Sequence, residues 1–219
     1  MTKAIILLSG GLDSAVLLAQ CVSKEIDIKA VNIHYGQKHE KEIESARALA
    51  KHYNVELKEV DLSNIKSLLG DCALTDDNVE IPEGHYKEET MKATVVPNRN
   101  MILLSVAGAY AVAEKASALY YGAHAGDHDI YPDCREVFLN SAADALKEGN
   151  YHQVTVRAPF IHLAKKQIAK LGHNLKVPFE LTWTCYKGGE KACGKCGSCT
   201  ERKEAFELNG LEDPIEYEK

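Results

Sequence analysis

Four of the seven cysteines crowd into one stretch. Cys185, Cys193, Cys196 and Cys199 are spaced C-x7-C-x2-C-x2-C, with Gly188, Gly189, Gly194 and Gly197 between them. Interlocked C-x2-C steps with intervening glycines let a backbone wrap one ion in a tetrahedral thiolate shell, and four protein ligands leave no open coordination position. The expectation is structural zinc, with Lys187, Lys191 and Lys195 placed to offset the excess negative charge. An iron–sulfur cluster and a redox-active thiol group remain open alternatives for the same donors. Cys21, Cys72 and Cys134 are scattered. An odd count clustered in this way speaks for a metal site in a reducing compartment and against a disulfide framework.

A second candidate site is Ser9-Gly10-Gly11-Leu12-Asp13-Ser14, between a short apolar run and a helical pattern. Two residues without Cβ allow a tight turn that aims several N–H groups at an anion, and the positive end of the next helix adds to the attraction. Asp13 and Ser14 fit an N-cap, and the Ser9 and Ser14 hydroxyls can donate to phosphate oxygens. The loop lacks the Lys-Ser/Thr ending of a Walker motif and is not G-x-G-x-x-G. Asp13 could help hold Mg²⁺ or simply cap the helix.

Three polar loops could read a substrate. In Tyr131-Pro132-Asp133-Cys134-Arg135, a carboxylate such as Asp133 can accept two hydrogen bonds from a guanine-like edge, and Arg135 can fork a carboxylate or phosphate; Asp as a helix cap is the plain alternative. Cys134 invites a nucleophile reading, but no His–acid pair can be assigned to it. In Val96-Pro97-Asn98-Arg99-Asn100, Arg99 and Asn100 would sit at the positive end of the following helix. Lys165, near the start of a helix, could neutralise phosphate charge, with Lys166 as its rival. His39, in Tyr35-Gly36-Gln37-Lys38-His39-Glu40, reads as a surface or capping residue.

The elements that must position these groups alternate. Lys3 to Leu8, Ile28 to Tyr35, Val55 to Leu62, Ala118 to Ala123 and Val154 to Pro159 read as strands; helices are expected over 14–23, 40–53, 100–115, 137–147, 164–171 and 201–208. The apolar stretch Asn100 to Lys115 should be buried. From Ser63 to Val95 the pattern dissolves into polar residues, as in an insertion or flap. This alternation predicts an α/β fold, a doubly wound, mostly parallel sheet with helices on both faces, over residues 1–178, followed by a small zinc-binding segment and terminal helix over 179–219. Ligands of such sheets bind at the carboxyl ends of the strands, where the strand order switches. The loops at Ser9, Tyr35, Pro97 and His124 are placed to converge there.

With 219 residues, 45% hydrophobic and 26% charged, the chain has the composition of a globular protein and not of a disordered or fibrous one. The formal charge of −6 argues against a nucleic-acid binder held by phosphate contacts. No apolar run approaches the roughly 18 residues of a membrane span, and none reads as a signal peptide, so a soluble cytoplasmic protein is expected.

SGGLDS resembles the pyrophosphate-binding loop of the N-type ATP pyrophosphatases, the PP-loop superfamily, which implies an adenine nucleotide alpha hydrolase-like fold and cleavage of ATP between its α and β phosphates. Together SGGLDS, HYGQKHEKE, VPNRNM, YPDCR, LAKKQI and TWTCYKGGEKACGKCGSC resemble, in order and spacing over nearly the whole chain, the 7-cyano-7-deazaguanine synthases of queuosine biosynthesis. That family often has Gly where Asn98 stands and Ser where Thr184 stands. The resemblance implies an ATP-dependent carbon–nitrogen ligase that turns 7-carboxy-7-deazaguanine and ammonia into the nitrile, with Mg²⁺, structural zinc and a homodimer. It implies that Leu8, Ser9, Gly10, Gly11, Leu12, Asp13 and Ser14 hold ATP, and that Asp13, Ser14, Lys165 and Arg99 act in catalysis. Tyr131, Asp133, Arg135 and Asn100 would bind the base, and Cys185, Cys193, Cys196 and Cys199 the zinc. Another PP-loop enzyme, one that modifies tRNA, is the competing reading; the acidic charge counts against it.

Overall fold

A computed structural model describes residues 3–38, 40–85 and 89–218. Five parallel strands, β1 (Lys3–Leu7), β2 (Asp27–His34), β3 (Glu56–Asp61), β4 (Ala118–Tyr120) and β5 (Thr155–Arg157), form one sheet in the order β3-β2-β1-β4-β5. Among the described residues six α-helices accompany them: α1 (Leu12–Ser23), α2 (Lys41–His52), α3 (Arg99–Ala113), α4 (Glu136–Glu148), α5 (Lys165–Asn174) and α6 (Gly197–Glu207). This is the expected doubly wound α/β fold.

Side chains alternate across each strand, so β1 feeds two cores. Ile5 joins Leu104, Ala107 and Leu119 under α3 and α4, and Ile6 joins Leu17, Leu49 and Ile168 under α1, α2 and α5. Strand order reverses between β1 and β4, so the loops leaving these two neighbours diverge to opposite faces and leave a crevice between them.

Several boundaries differ from the sequence reading for physical reasons. β4 is shorter than expected because Gly122 and Ala123 turn away to line the crevice after Tyr121, whose N–H still donates to Arg157 O at 3.0 Å, and β5, its partner, ends at Arg157. α1 begins at Leu12, with Gly11 as N-cap and no side-chain cap; Asp13 and Ser14 therefore sit in its first turn and do not cap it. α3 is fully buried at Asn100, Leu104, Ala107, Gly108 and Ala111 and half-buried at most other positions, leaving a strip of Ser105, Ala109 and Ala113 exposed. Its apolar composition predicted a buried helix, yet among the described residues nothing covers that strip. The 63–95 segment is not merely a polar flap: Leu69, Cys72 and Leu74 bury against Val96 in a small core of their own.

The C-terminal part packs back on the sheet body. α6 starts at Gly197, four residues earlier than expected at Glu201, and so carries Cys199 in its first turn. Its Phe206 enters the core beside Phe179. Arg202, fully buried, donates to both carboxylate oxygens of Asp213 at 2.8 and 2.9 Å and to Thr182 Oγ1 at 2.6 Å. A buried guanidinium is tolerated only when its donors are spent in this way. The last residues return to the cysteine loop, where Ala192 N–H donates to Glu216 O at 3.0 Å. No helix among the described residues is long and apolar enough to cross a membrane.

Candidate active site

The crevice at the β1/β4 switch is one continuous pocket, lined at one end by Leu8, Ser9, Gly11, Leu12, Asp13 and Ser14 and at the other by Tyr35, Glu42, Arg99 and Tyr131. Gly10 shapes the loop from behind. Its φ is +95°, and a Cβ there would lie 2.0 Å from the backbone oxygen of Glu42 in α2, so this position requires glycine. The loop is braced by its own hydroxyls. Ser14 Oγ donates to Gly11 O at 3.0 Å and accepts from Ser9 Oγ at 3.1 Å and from Gly10 N–H at 3.3 Å. Trp183 N–H holds Gly10 O at 3.0 Å from the C-terminal side. The first-turn N–H groups of α1, which have no intrahelical acceptor, begin at this loop.

Lys165, at the start of α5, reaches Asp13 Oδ2 at 2.6 Å and faces Glu201 at 3.4 Å. Burial alone would discharge it, but the attraction of Asp13 and Glu201 outweighs that and holds the ammonium firmly protonated. Burial likewise opposes the charge on Asp13, and Lys165 and His124 prevail, keeping that carboxyl below its ordinary range. Lys166, the rival, is exposed on the outer face of the helix. His124 is buried with Nε2 at 3.4 Å from Asp127 and 3.3 Å from Lys165 Nζ, and its Nδ1 accepts Gly126 N–H at 3.1 Å. Asp13 Oδ1 is buried and has no hydrogen-bond partner among the described residues, and His124, Asp127 and Glu201 can bring one ligand atom each within 4.8 Å of one another. An orphaned carboxylate oxygen beside such a cluster fits a divalent cation arriving with polyphosphate.

At the far end, Arg99 lies over the Tyr131 ring at 5.4 Å. Tyr131 is buried, and its hydroxyl meets Thr94 Oγ1 at 2.7 Å and Tyr186 OH at 3.3 Å. It thereby ties the 63–95 segment to the cysteine segment. Loss of solvent pushes the Glu42 carboxyl up to about 7 and the Tyr35 hydroxyl up to about 12.

Two of the expected base-binding residues are elsewhere. Asp133 Oδ2 accepts Asn100 N–H at 2.9 Å, so its carboxylate caps α3 from the neighbouring loop. Arg135 is exposed, with Nε donating to His128 O at 2.9 Å. Neither lines the pocket. Asn100 does, but its side-chain amide is spent on Asp133 O at 2.9 Å and Cys134 Sγ at 3.3 Å, which makes it a brace for the loop. Burial raises the Cys134 thiol far above its usual value, the opposite of what a nucleophile needs. His39 lies outside the described residues.

The four clustered cysteines are buried, and their sulfurs converge within 4.8 Å. Cys185 Sγ accepts the N–H of Lys187 and Cys193 at 3.4 and 3.3 Å, and Cys193 Sγ that of Lys195 and Cys196 at 3.4 and 3.3 Å. Paired N–H donors to sulfur favour thiolate over thiol, so the donor set suits a metal ion. The 63–95 segment docks on this loop through Gly84 N–H to Lys195 O at 3.0 Å.

Residues 3–210 match the family described as queuosine biosynthesis protein QueC. The chain belongs to this family. It is 52% identical over 216 residues to the 7-cyano-7-deazaguanine synthase of Hahella chejuensis, covering 99% of this chain and 93% of that one. The 7-cyano-7-deazaguanine synthase of Caldicellulosiruptor bescii is 48% identical, with 99% and 97% covered. Among solved structures, the NMN synthetase of Francisella tularensis shares the fold at a TM-score of 0.51 and 16% identity, over 96% of this chain and 78% of that one. In this QueC-family chain Asn98 takes the left-handed conformation, with φ 55° and ψ 21°. Asn tolerates that region best after Gly, so the departure from the Gly often found there keeps the turn that places Arg99.

Sequence reasoning missed Glu42 and His124 as pocket groups, and Glu201 as the second carboxylate facing Lys165. Glu42 lies within HYGQKHEKE and His124 in a loop placed at the strand ends, so both carried a signal of position. Glu201 carried none.

Proposed function

We propose that this chain is an ATP-dependent carbon–nitrogen ligase that converts 7-carboxy-7-deazaguanine and ammonia to 7-cyano-7-deazaguanine. The observation that carries the reading is the single pocket that joins a Gly loop and Lys165 to Arg99 and Tyr131, in a chain of the QueC family. Making a nitrile from a carboxylate removes both carboxyl oxygens, and each needs activation. A carboxylate oxygen attacks the α-phosphorus of ATP and pyrophosphate leaves; ammonia then displaces AMP and loses a proton, giving the amide. The amide oxygen attacks a second ATP, pyrophosphate leaves again, and loss of AMP with the nitrogen-bound protons forms the C≡N bond.

Ser9, Gly10, Gly11 and Ser14, with the α1 N-terminus, hold the pyrophosphate in this reading. Lys165 offsets charge developing at phosphorus, and Asp13 orients Lys165 and takes part in holding Mg²⁺. No covalent protein nucleophile is required, so positioning and electrostatics supply the rate. Zinc in the four-cysteine cluster is structural, and residues 179–219 are its binding segment. The net charge of −6 accords with a free base as substrate and not a polynucleotide. The half-exposed outer flank of α3 accords with the expected homodimer.

The deciding experiment is a mass-spectrometric product assay with 7-carboxy-7-deazaguanine, ATP, Mg²⁺ and ammonium. Nitrile, preceded by amide, is expected; metal-replete protein that makes neither excludes the reading.

A further inference from the structure

We propose that Glu42 is the specificity-determining residue for the base, its carboxylate accepting the adjacent ring N–H and exocyclic amine of a 2-amino-4-oxopyrimidine edge while Arg99 donates to the neighbouring oxo group. The proposal rests on the function proposed above and assigns the recognition step within it.

The pocket carries three carboxylates, and two of them are engaged. Asp13 holds Lys165 at 2.6 Å, and Asp127 lies 3.4 Å from His124. Glu42, projecting from the first turn of α2, accepts no hydrogen bond and forms no ion pair among the described residues. Arg99 faces the same space and likewise has no ion-pair partner among them; its guanidinium lies over the Tyr131 ring instead. A carboxyl, acceptor-only once ionised, and a donor-only guanidinium that share a pocket without closing on each other fit a ligand bearing donors beside an acceptor. A guanine-type edge has that order: amine, ring N–H, oxo oxygen. The adenine edge places a bare ring nitrogen beside its amine, and that lone pair would face the carboxylate oxygens. Asp133, the carboxylate that the sequence suggested for this task, is turned away to cap α3.

Glu42 is also held in place. Its backbone oxygen packs against Gly10, so the residue that would read the base is registered to the loop that would hold pyrophosphate. Such a shared fixture sets the distance between the base and the phosphorus to be attacked.

The test compares 7-carboxy-7-deazaguanine with its analogue lacking the 2-amino group, in wild type, Glu42→Gln and Glu42→Asp. Wild type should lose about ten- to hundredfold in kcat/KM on the analogue, the usual worth of a hydrogen bond to a charged group. Glu42→Gln should lose a comparable factor on the full substrate and discriminate less than threefold, roughly the spread of a lost neutral contact. Its KM for ATP and its metal content should stay at the wild-type level. Glu42→Asp keeps a carboxylate and should keep part of the discrimination. A wild type that uses both bases equally overturns the proposal without any variant, as does a folded Glu42→Gln that still discriminates or that raises KM for ATP alone. Wild-type protein that turns over neither base overturns the function proposed above, a result distinct from normal turnover with unchanged specificity in Glu42→Gln.

Discussion

At the Gly-loop end of the pocket the groups come from adjacent residues and satisfy one another before any ligand arrives: Ser9 with Ser14, Ser14 with Gly10 and Gly11, Asp13 with Lys165. At the Arg99 end they come from four separate stretches of chain, at Tyr35, Glu42, Arg99 and Tyr131, and the charged ones have no ion-pair partner among the described residues. In the proposed function the first end would bind the group that every turnover brings in the same form. The second would take the complement of its charges from the ligand, and there an ill-matched ligand would leave a buried polar group unpaired. Preorganisation and selectivity are thus assigned to opposite ends of one cleft.

The largest effect should come from Lys165. Lys165→Ala removes the cation facing Asp13 and Glu201, and turnover should fall about 10²–10³-fold, the range for losing one preorganised electrostatic stabiliser. Lys166→Ala, on the exposed side of the same turn, should leave steady-state kinetics unchanged. The reverse outcome would break the contrast at its better-defined end. Next is Gly10→Ala. Its Cβ would meet Glu42 O at 2.0 Å, so α2 must shift, and the fall should be about 10²-fold, as for reacting groups misplaced by an ångström. Because α2 also carries Glu42, the variant should raise KM for the base as well as lowering kcat. A pure kcat effect would show that the two ends are mechanically independent.

Cys193→Ser sharpens the comparison in another way, since the cysteine segment touches both ends. Trp183 holds Gly10, and Tyr186 meets Tyr131. The bound metal measured by elemental analysis should drop, and thermal unfolding should move down by about 2–4 °C for each kcal/mol lost. Unchanged metal stoichiometry and unfolding temperature would refute a structural role for the cluster.

The Gly loop and the cysteine cluster were legible because each is a local string whose chemistry depends on spacing along the chain. The parallel, doubly wound sheet followed from the strand–helix alternation, and the pocket's place at the strand ends followed from that class of sheet, while the strand order itself came only from the structure. What stayed hidden was how the long loops turn. Glu42 reaches the pocket because α2 packs on Gly10, and Glu201 reaches Lys165 because α6 packs on α5; which residue a helix brings to a distant partner leaves no mark in residue spacing. Asp133 shows the converse. Its residue type and loop position suited a base reader, yet an Asp near a helix start is equally suited to capping, and here the helix it caps lies 33 positions back in sequence.

That reversal yields the smallest prediction. Asp133→Ala takes the acceptor from Asn100 N–H at the start of α3, a cap worth about 1 kcal/mol. The unfolding temperature should therefore fall by roughly 2–4 °C, with KM for the base raised no more than about twofold, as expected of a residue that steadies the helix bearing Arg99 without touching the ligand. Arg135→Ala should alter neither quantity, because its guanidinium holds only His128 O at the surface. If Asp133→Ala instead raised KM for the base tenfold while leaving the unfolding temperature in place, the loop 131–135 would have to turn inward when ligand binds. The Arg99 end would then be completed by closure, and the unpaired state of Glu42 would describe an open pocket waiting for a second carboxylate.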